Sequence, residues 1–337
     1  MPKVGIILVN YNNWFSTIQC LESLLKNNYK DIQIIVVDNN SKDNSLFYIE
    51  NWAKGKLNIW IDNFPNEDIK NLFLPPVSKP VSIKIIDNPI TDLLKEKIVV
   101  FKNKKNKGFA GGVNTGLRYI LKNKNFKYIW ILNNDTVVDK GTIYTLIKNM
   151  EKNTDIGLLG SKILFYNNPS VIQVLGGGYF NRILGLPAQL GYLDKEDKYN
   201  EMIYLEHLMG ASIFIRREVI EKVGFLREDF FLYLEDTEFS LRVSKSGWRL
   251  ACEPLSKIWH KDSDTVGKKS GINDYYVIRN SLFFVKENFG GKIVPLFFYG
   301  VYKYIIPKLI KGEWKRLKFA LKAYVDFFFG KKGKLYE

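Results

Sequence analysis

The sequence is poor in cysteine and histidine, with two residues of each type among 337. Cys20 and Cys252 lie far apart in the chain and fit neither a disulfide framework nor a metal-ligand motif. A small secreted domain held together by disulfides is therefore excluded. We expect a protein of a reducing compartment, the cytoplasm.

The sequence also lacks a long hydrophobic run. Its N-terminal apolar segment, residues 4–9, is short and leads into a turn-like Asn-Tyr-Asn-Asn, so it does not read as a signal peptide. The longest later candidate, residues 293–307, is interrupted by Lys303 and bounded by prolines. Because no run reaches about eighteen uncharged apolar residues, we expect no membrane-spanning helix.

Acidic residues are scarce relative to basic ones, 35 against 50, for a net charge of +15. More than half of this excess lies in residues 291–337, where eleven Lys or Arg residues meet three acidic ones and twelve aromatics. Such a segment suits an anionic membrane surface or nucleic acid. No RNP-like or zinc motif supports nucleic acid.

Residues 313–329 have the periodicity of an amphipathic helix. One face carries apolar side chains and the other carries basic ones: Trp314, Leu317, Leu321, Tyr324, Val325 and Phe328 against Lys315, Arg316, Lys318 and Lys322. Two interpretations remain open. The helix lies in a membrane interface, or it packs on the catalytic domain with a solvated basic face.

The first 150 residues alternate short buried strands with helices. Strands are predicted at 4–10, 32–38, 98–102 and 128–133, and helices at 15–26, 45–52, 113–122 and 141–151. This pattern predicts an α/β fold with a mostly parallel sheet covered by helices on both faces. Residues 52–97 break the pattern with five prolines and are predicted to be an insertion with one short strand, 81–86.

Ligands bind beyond the carboxyl ends of strands in such sheets, which makes Asn10, Asp38 and Asp135 site candidates. Asp135 follows the buried run 128–132 after Asn133 and Asn134, in a position suited to hold Mg²⁺ or Mn²⁺ against a phosphate. A surface turn is the alternative. Asp38 suits a base or ribose contact, or a helix cap.

Three further stretches bear chemistry. Residues 106–116, NKGFAGGVNTG, place glycines before a helix amino terminus, which suits an anion, although a simple glycine turn is the alternative. Glu235, Asp236 and Glu238 begin a helix after an apolar run, so one could act as general base; complementation of the helix dipole is the alternative. His260 stands alone, and a lone histidine is more often structural.

Seven stretches in order, VNYNN, VVDNNSKDNS, NKGFAGGVNTG, ILNNDT, MGASIFIRREVIEKVG, FFLYLEDTEFSLR and WH, resemble the family 2 glycosyltransferases with the GT-A fold. Within that family, these stretches are similar to those of bacterial rhamnosyltransferase-like enzymes of surface polysaccharide biosynthesis. The resemblance implies a catalytic domain at 1–267, with the insertion at 52–97, followed by a basic, aromatic-rich helical extension at 268–337.

The resemblance also implies roles for individual residues. Asp236 would be the catalytic base with Glu235 beside it, and Asp135 and His260 would hold Mg²⁺ or Mn²⁺. The residues implied to bind the nucleotide sugar are Asn10, Tyr11, Asp38, Asn40, Asn106, Gly108, Phe109, Ala110, Gly111, Gly112, Asn114, Asn133 and Asn134. Three positions depart from the family pattern, since Asn133, Arg227 and Glu238 stand where many members have aspartate.

The expected function is inverting transfer from a dTDP-rhamnose-like, UDP- or GDP-sugar to a hydroxyl of a glycan or lipid-linked glycan. We expect a cytoplasmic enzyme, in peripheral contact with the inner face of the cell membrane if 291–337 binds lipid. Two other classes stay open. A sugar nucleotidyltransferase would need a glycine-rich basic loop after the first strand, which NYNNWFS lacks. A non-catalytic sugar- or nucleic-acid-binding protein would show binding without turnover.

Overall fold

The computed structural model describes residues 2–58, 64–87, 94–261 and 271–335. Its first half alternates strands and helices: β1 (Lys3–Asn10), α1 (Trp14–Leu25), β2 (Ile32–Asp38), α2 (Ser45–Ala53), α3 (Glu67–Phe73), β3 (Ile83–Ile86), β4 (Ile98–Lys102), α4 (Gly108–Leu121), β5 (Phe126–Asn133), β6 (Thr136–Val138) and α5 (Thr142–Lys152). The predicted strands and helices are confirmed to within a few residues. The exception is α4, which begins at Gly108 rather than at residue 113.

The second half adds mostly antiparallel strands and then helices. Its elements are β7 (Ile156–Phe165), β8 (Asn168–Leu175), β9 (Gly177–Phe180), β10 (Pro187–Gln189), β11 (Ile203–Leu205), β12 (His207–Leu208), β13 (Ser212–Arg216), α6 (Arg217–Val223), α7 (Glu235–Lys245), β14 (Arg249–His260), α8 (Gly271–Phe289), α9 (Ile293–Gly300), α10 (Ile306–Ile310) and α11 (Trp314–Phe328). A π-helical turn, Val301–Ile305, joins α9 to α10. Both cysteines are buried and free.

Among the described residues, eleven strands form one sheet. Its main path runs β11-β14-β7-β13-β5-β1-β2-β4-β3, with β6 paired to β14 and β8 to β7. The block from β5 to β3 is parallel, whereas β13 is antiparallel to both β5 and β7. The predicted α/β class, with a large mostly parallel sheet and a C-terminal helical region, is confirmed.

Two glycines set the distance between α4 and the sheet. A Cβ at Gly112 would lie 2.7 Å from Val9 Cγ1, and one at Gly116 would lie 2.9 Å from Ile7 Cγ2. The helix therefore packs directly on β1, and its amino terminus reaches the carboxyl edge of the sheet. In the strand register Asn10 lies beside Asp38, and Val9 lies beside Asn133. The predicted site residues thus share one edge.

The antiparallel strand β13 brings a second segment to that edge. Ser212, its first residue, pairs with Leu132 near the end of β5. The turn before β13 therefore lies next to the end of β5, and the Asn133 amide donates to the Ala211 carbonyl over 3.1 Å. No periodicity in the sequence signals this strand order, because it depends on contacts between distant segments.

The insertion contains a helix as well as the predicted strand. Asn66 caps α3 by accepting from the Ile69 amide, and Glu67 and Asp68 occupy its first turn, where acids are favoured. The strand β3 extends the parallel sheet beside β4. Helix α3 is hard to recognise in the sequence because it has only seven residues and lies in a proline-rich segment. Residues 59–63 and 88–93 lie outside the described part of this insertion.

The C-terminal helix α11 packs on α8 through one apolar face, so packing on the rest of the protein is confirmed for that face. Leu317, Tyr324 and Phe327 are buried there, whereas Trp314 and Phe328 stay exposed. Of the six side chains predicted for one apolar face, two are buried, Leu317 and Tyr324, and the other four are exposed.

The expectation of no helix long enough to span a membrane also needs correction. By length and composition alone, the helical stretch Gly271–Ile310 is apolar enough to cross one. Helix continues through Lys303, and Pro307 occupies the first turn of α10, where proline is tolerated.

Candidate active site

His260 and Asp135 meet because β6 pairs with the end of β14, placing His260 opposite Thr136. His260 Nε2 lies 3.1 Å from Asp135 Oδ1 and 3.4 Å from Asn133 Nδ2. Both His260 and Asp135 are buried. The structure thus brings together the two residues predicted to hold a metal ion: Asp135, in the turn between β5 and β6, and His260, at the end of β14.

Gln173, on β8, fixes the orientation of this histidine. Its Oε1 lies 2.8 Å from His260 Nδ1. Since a carbonyl oxygen only accepts, Nδ1 carries the proton of this hydrogen bond, and Nε2 faces Asp135. A lone pair and a carboxylate oxygen at this separation repel each other unless a proton or a cation lies between them. This donor set therefore fits a divalent cation.

Within the described ranges, no three His, Cys, Asp or Glu side chains lie close enough together to hold a metal ion. A cation held by Asp135 and His260 would take its remaining ligands from water and from a phosphate-bearing substrate, as Mg²⁺ commonly does. Lys261 adds positive charge beside Asp135. Burial lowers the pKa of Lys261 to about 8, while the Asp135 carboxylate acts in the opposite direction.

Asn10, at the end of β1, links the neighbouring strand ends. Its amide nitrogen donates to Asp38 Oδ1 over 2.8 Å and to Ser41 Oγ over 3.1 Å. Its oxygen accepts from Thr17 Oγ1 over 2.8 Å, and Thr17 in turn accepts from Asn134 Nδ2 over 2.8 Å. Asn10, Asp38 and Asn134, predicted as nucleotide-sugar residues, therefore form one hydrogen-bonded network.

The turns after β1 and β2 carry two more predicted residues, Tyr11 and Asn40, both half-buried. Asn40 adopts a left-handed backbone, with φ of 66°. Asparagine tolerates that conformation better than most residues, which suits a tight turn at a strand end.

Asn39, which the sequence analysis did not single out, joins the second strand end to the glycine-rich segment. Its amide nitrogen donates to Asn106 Oδ1 over 3.1 Å and to the Gly108 carbonyl over 2.9 Å. Its oxygen accepts from Asn103 Nδ2 and the Lys107 amide, each over 3.1 Å. Asn39 thus holds the start of α4 against β2. Its position next to Asp38 is the only signal that sequence offers.

The glycines of this segment make close approaches inside the protein. Gly108 has φ of 73°, and a Cβ there would lie 2.1 Å from the Phe231 carbonyl oxygen. A Cβ at Gly111 would lie 2.5 Å from Lys107 Cβ. These glycines and Gly112 allow the backbone to approach Phe231, Lys107 and Val9; their predicted role in binding the nucleotide sugar stays a prediction.

The remaining residues of this segment lie along the first turns of α4. Ala110 is buried and Phe109 is half-buried, with its amide donating to the Phe231 carbonyl over 2.9 Å. Asn114 bonds to both backbone groups of Leu226 and to Glu228 Oε1. Its amide therefore fastens α4 to the segment that leads to α7.

That segment, residues 228–234, is held in an uncommon backbone conformation. Phe231, Tyr233 and Leu234 have φ of 66°, 68° and 71°, which is costly for residues other than glycine. Asn280 on α8 compensates by donating to the carbonyls of Phe230, Leu232 and Tyr233 over 2.8–3.0 Å. Nothing in the sequence around Asn280 marks this role.

The strained segment delivers Asp236 to the edge of the sheet. Asp236 Oδ2 accepts from the Gly210 amide over 2.7 Å, and Oδ1 accepts from the Thr237 amide over 2.7 Å. Asp236 lines a cavity of about 430 Å³ together with residues of β10 and β12, among them Gln189 and His207. Burial lowers the pKa of His207, and the charge of Asp236 opposes that shift. His207, which is buried, thus lines this cavity.

Glu235 is buried at the start of α7, and its Oε2 has no hydrogen-bond partner among the described residues. Burial, with a contribution from the neighbouring Asp236 charge, raises its pKa to about 8. Two adjacent carboxyl groups therefore differ in environment. Glu235 is kept neutral inside the protein, while Asp236 faces the cavity.

The departures from the family pattern have structural partners. Arg227 pairs with Asp229 over 2.6 Å and with Glu287, and it lies over the Phe230 ring. Glu238 accepts from Arg242 Nε over 2.8 Å. Both side chains therefore stabilise the segment around α7.

Asp236 and Asp135 are connected through one turn. Gly210 donates to Asp236, and the next residue, Ala211, accepts from the Asn133 amide at the end of β5. Asp236, which lines the cavity, and the pair of Asp135 and His260 therefore lie near the same edge of the sheet, where ligands bind in folds of this class.

The family model of glycosyl transferase family 2 matches residues 5–68 and 82–224, more than half of the chain. The chain belongs to this family of glycosyltransferase enzymes. The unmatched residues 69–81 fall within the predicted insertion.

Curated relatives are glycan-building enzymes. The low-salt glycan biosynthesis hexosyltransferase Agl10 of Haloferax volcanii is 28% identical over 222 residues, covering 64% of this chain and 70% of that protein. The poly-beta-1,6-N-acetyl-D-glucosamine synthase of Staphylococcus aureus is 21% identical over 163 residues, 48% of this chain and 36% of that protein.

Solved structures share the fold. GalNAc-T7, crystallised with UDP, GalNAc and Mn²⁺, has a TM-score of 0.57 at 16% identity, over 85% of this chain and 48% of that one. The mannosyltransferase PcManGT of Pyrobaculum calidifontis, in complex with GDP-Man and Mn²⁺, has a TM-score of 0.53 at 13% identity, over 99% and 76%. The predicted family and GT-A fold are confirmed; the rhamnosyltransferase-like subgroup stays a prediction.

Proposed function

We propose that this chain is an inverting glycosyltransferase that moves a sugar from a nucleoside diphosphate to a hydroxyl of a glycan or polyprenyl-linked glycan. The observation that carries the proposal is the two-residue turn Gly210–Ala211, which joins the cavity-lining Asp236 to the strand end that leads to Asp135. A hydroxyl can attack a sugar held between a base and a diphosphate site only if both lie at the same cleft.

The donor side of the proposed cleft is the edge formed by β1, β2 and β5. Asn10, Tyr11, Asp38 and Asn40 would line the nucleotide pocket, and the segment from residue 106 to 114 would border the diphosphate at the amino terminus of α4, where anions are favoured. Solved neighbours carry UDP or GDP-Man, so both classes, with dTDP-sugars, are candidate donors.

Asp135 and His260 would hold Mg²⁺ or Mn²⁺ next to the diphosphate. The histidine tautomer fixed by Gln173 supports this assignment. The bound cation would supply Lewis-acid stabilisation of the charge on the departing diphosphate. Neighbouring structures that contain Mn²⁺ support a divalent ion of this kind.

The acceptor side is the cavity beside Asp236. In the proposed reaction Asp236 takes the proton from an acceptor hydroxyl as its oxygen bonds to the anomeric carbon. The bond from that carbon to the diphosphate oxygen breaks in the same displacement, and the nucleoside diphosphate leaves with the electron pair. A single displacement inverts the anomeric configuration and needs one base, Asp236.

The direct test is a panel of UDP-, GDP- and dTDP-sugars assayed for nucleoside diphosphate release with glycan and lipid-linked acceptors. We expect turnover with one donor class, suppressed by EDTA and restored by Mn²⁺ or Mg²⁺. Asp236→Asn should lower kcat at least about a thousandfold while nucleotide affinity stays within a few fold. Asp197→Asn, an exposed carboxylate outside the site, is the matched control. Near-wild-type transfer by Asp236→Asn would refute the assignment of the base.

A further inference from the structure

Helices α9 and α10 expose a continuous row of apolar side chains. Val294, Phe298, Tyr302, Ile306 and Ile310 recur at four-residue spacing, and each is between 42% and 80% exposed. We call this row the apolar stripe. Four-residue spacing places the side chains on one side of the helical run. Soluble monomers rarely expose a large contiguous apolar surface without a partner for it.

The stripe continues onto α11. Trp314, Leu321, Val325 and Phe328 are each between 48% and 68% exposed and occupy one face of that helix. Phe297 links the two parts, because its ring lies 5.9 Å from the ring of Phe298 and 6.1 Å from that of Phe328.

The opposite sides of the same helices are packed. Leu296, Ile305 and Tyr324 are buried in the apolar cluster that includes α8. The stripe is therefore the outward face of the packed helices α9, α10 and α11, which we call the platform. The core of the protein does not depend on these exposed side chains.

Uncompensated positive charge accompanies the stripe. Lys311, Lys315 and Lys318 form no ion pair with any described residue. Lys318 follows Trp314 by four residues and precedes Leu321 by three, so it projects from the same face of α11. Apolar and aromatic side chains interleaved with free lysines match the chemistry of an anionic bilayer surface.

The arrangement suits a helix that lies on a bilayer and does not cross it. Helix α8, the first part of the stretch Gly271–Ile310, is mostly buried in protein. Its Arg279 and Asn280 donate to backbone carbonyls next to the proposed catalytic segment. The last part is also anchored, since Lys308, itself buried, pairs with Asp274 over 3.3 Å. Only the outer face remains for lipid.

We propose that this face of the protein binds an anionic membrane surface. It consists of the apolar stripe, its continuation on α11 and the three lysines, and we call it the seat. A cavity of about 180 Å³ lies under this platform, between Lys303, Tyr299 and the segment that contains Leu234. Pro187 lines both this cavity and the one beside Asp236. The seat therefore holds the Asp236 cavity close to the bilayer, where a membrane-embedded acceptor would present its polar end.

Vesicle sedimentation of the full chain tests this proposal. Phosphatidylcholine vesicles with and without phosphatidylglycerol are compared at low and high salt. We expect binding to the anionic vesicles only, weakened by salt. The double variant Phe298→Asp/Ile310→Asp should bind at least about tenfold more weakly. A charge variant, Lys311→Glu/Lys315→Glu/Lys318→Glu, should lose the preference for phosphatidylglycerol.

The matched control is Ile183→Asp/Leu255→Asp, which changes two side chains of similar exposure outside the platform and should bind as the wild type does. Circular dichroism and thermal midpoints verify that the variants fold. Equal binding by wild type and the stripe variant would overturn the proposal. So would a concentration-dependent dimer that the stripe variant abolishes, or resistance of the cellular protein to alkaline carbonate, which indicates a spanning helix.

Discussion

Glu235 offers a test of how the site treats buried charge. Its carboxyl is 4% exposed, has an oxygen without a hydrogen-bond partner among the described residues, and lies next to Asp236 in sequence. Burial and the Asp236 charge raise its pKa from an ordinary value of 4.5 to about 8. Glu235→Gln keeps the shape of the side chain and removes its titration.

The magnitude follows from proton linkage. Because the pKa in the folded state lies above that in the unfolded state, the stabilising contribution of Glu235 is complete below about pH 4.5 and is lost as the pH rises to about 8. The loss is on the order of 3–4 kcal/mol between pH 5 and pH 8. The glutamine variant has no such loss, so its advantage over wild type should grow by about that amount.

Urea unfolding of both proteins between pH 5 and pH 8 measures this difference. The effect should shrink in an Asp236→Asn background, because one of the two causes of the shift is then absent. A difference in unfolding free energy that stays constant over this range would refute a neutral, buried Glu235.

Three further substitutions probe other parts of the site. Asn280→Leu removes the three hydrogen bonds that hold the strained segment and should lower kcat about 10–100-fold with nucleotide affinity retained. Asn288→Ala on the same helix is the control. An equal effect of both substitutions on kcat would contradict the role of Asn280 in holding that segment. Gln173→Leu should weaken Mn²⁺ affinity about 10–100-fold, measured by titration with nucleotide present, whereas Gln173→Glu should retain it. Equal Mn²⁺ affinities of the wild type and the leucine variant would exclude control of the His260 tautomer by Gln173. Gly108→Ala should destabilise the fold by about 2–3 kcal/mol in chemical unfolding, through its φ of 73° and the Phe231 carbonyl; an unchanged midpoint would contradict that.

Local pattern determined the parallel half of the sheet. Strands buried on both faces and separated by amphipathic helices are visible as apolar runs and helical periods, and their polar ends pointed to Asn10, Asp38 and Asp135. The meeting of His260 with Asp135 follows from the pairing of β14 with β6, which the sequence does not display. The family resemblance supplied that pair.

The residues that sequence analysis missed act over long separations. Gln173 reaches His260 across 87 residues, and Asn280 reaches Phe230 across 50. Neither stands in a motif, because a single hydrogen bond to a distant partner leaves no periodicity. The division of the C-terminal apolar residues was equally hidden: helical spacing defines a face, but only the position of α8 decides which part of it is covered.

The central claim is that a diphosphate-bound cation and the Asp236 carboxylate face each other across one cleft. Anomalous diffraction from crystals grown with Mn²⁺ and the nucleoside diphosphate found in the donor panel tests it most directly. We expect a manganese peak coordinated by Asp135 and His260 beside the diphosphate, with the cavity of Asp236 open toward it. A peak elsewhere, or a nucleotide bound away from the carboxyl edge of β1, β2 and β5, would contradict the account.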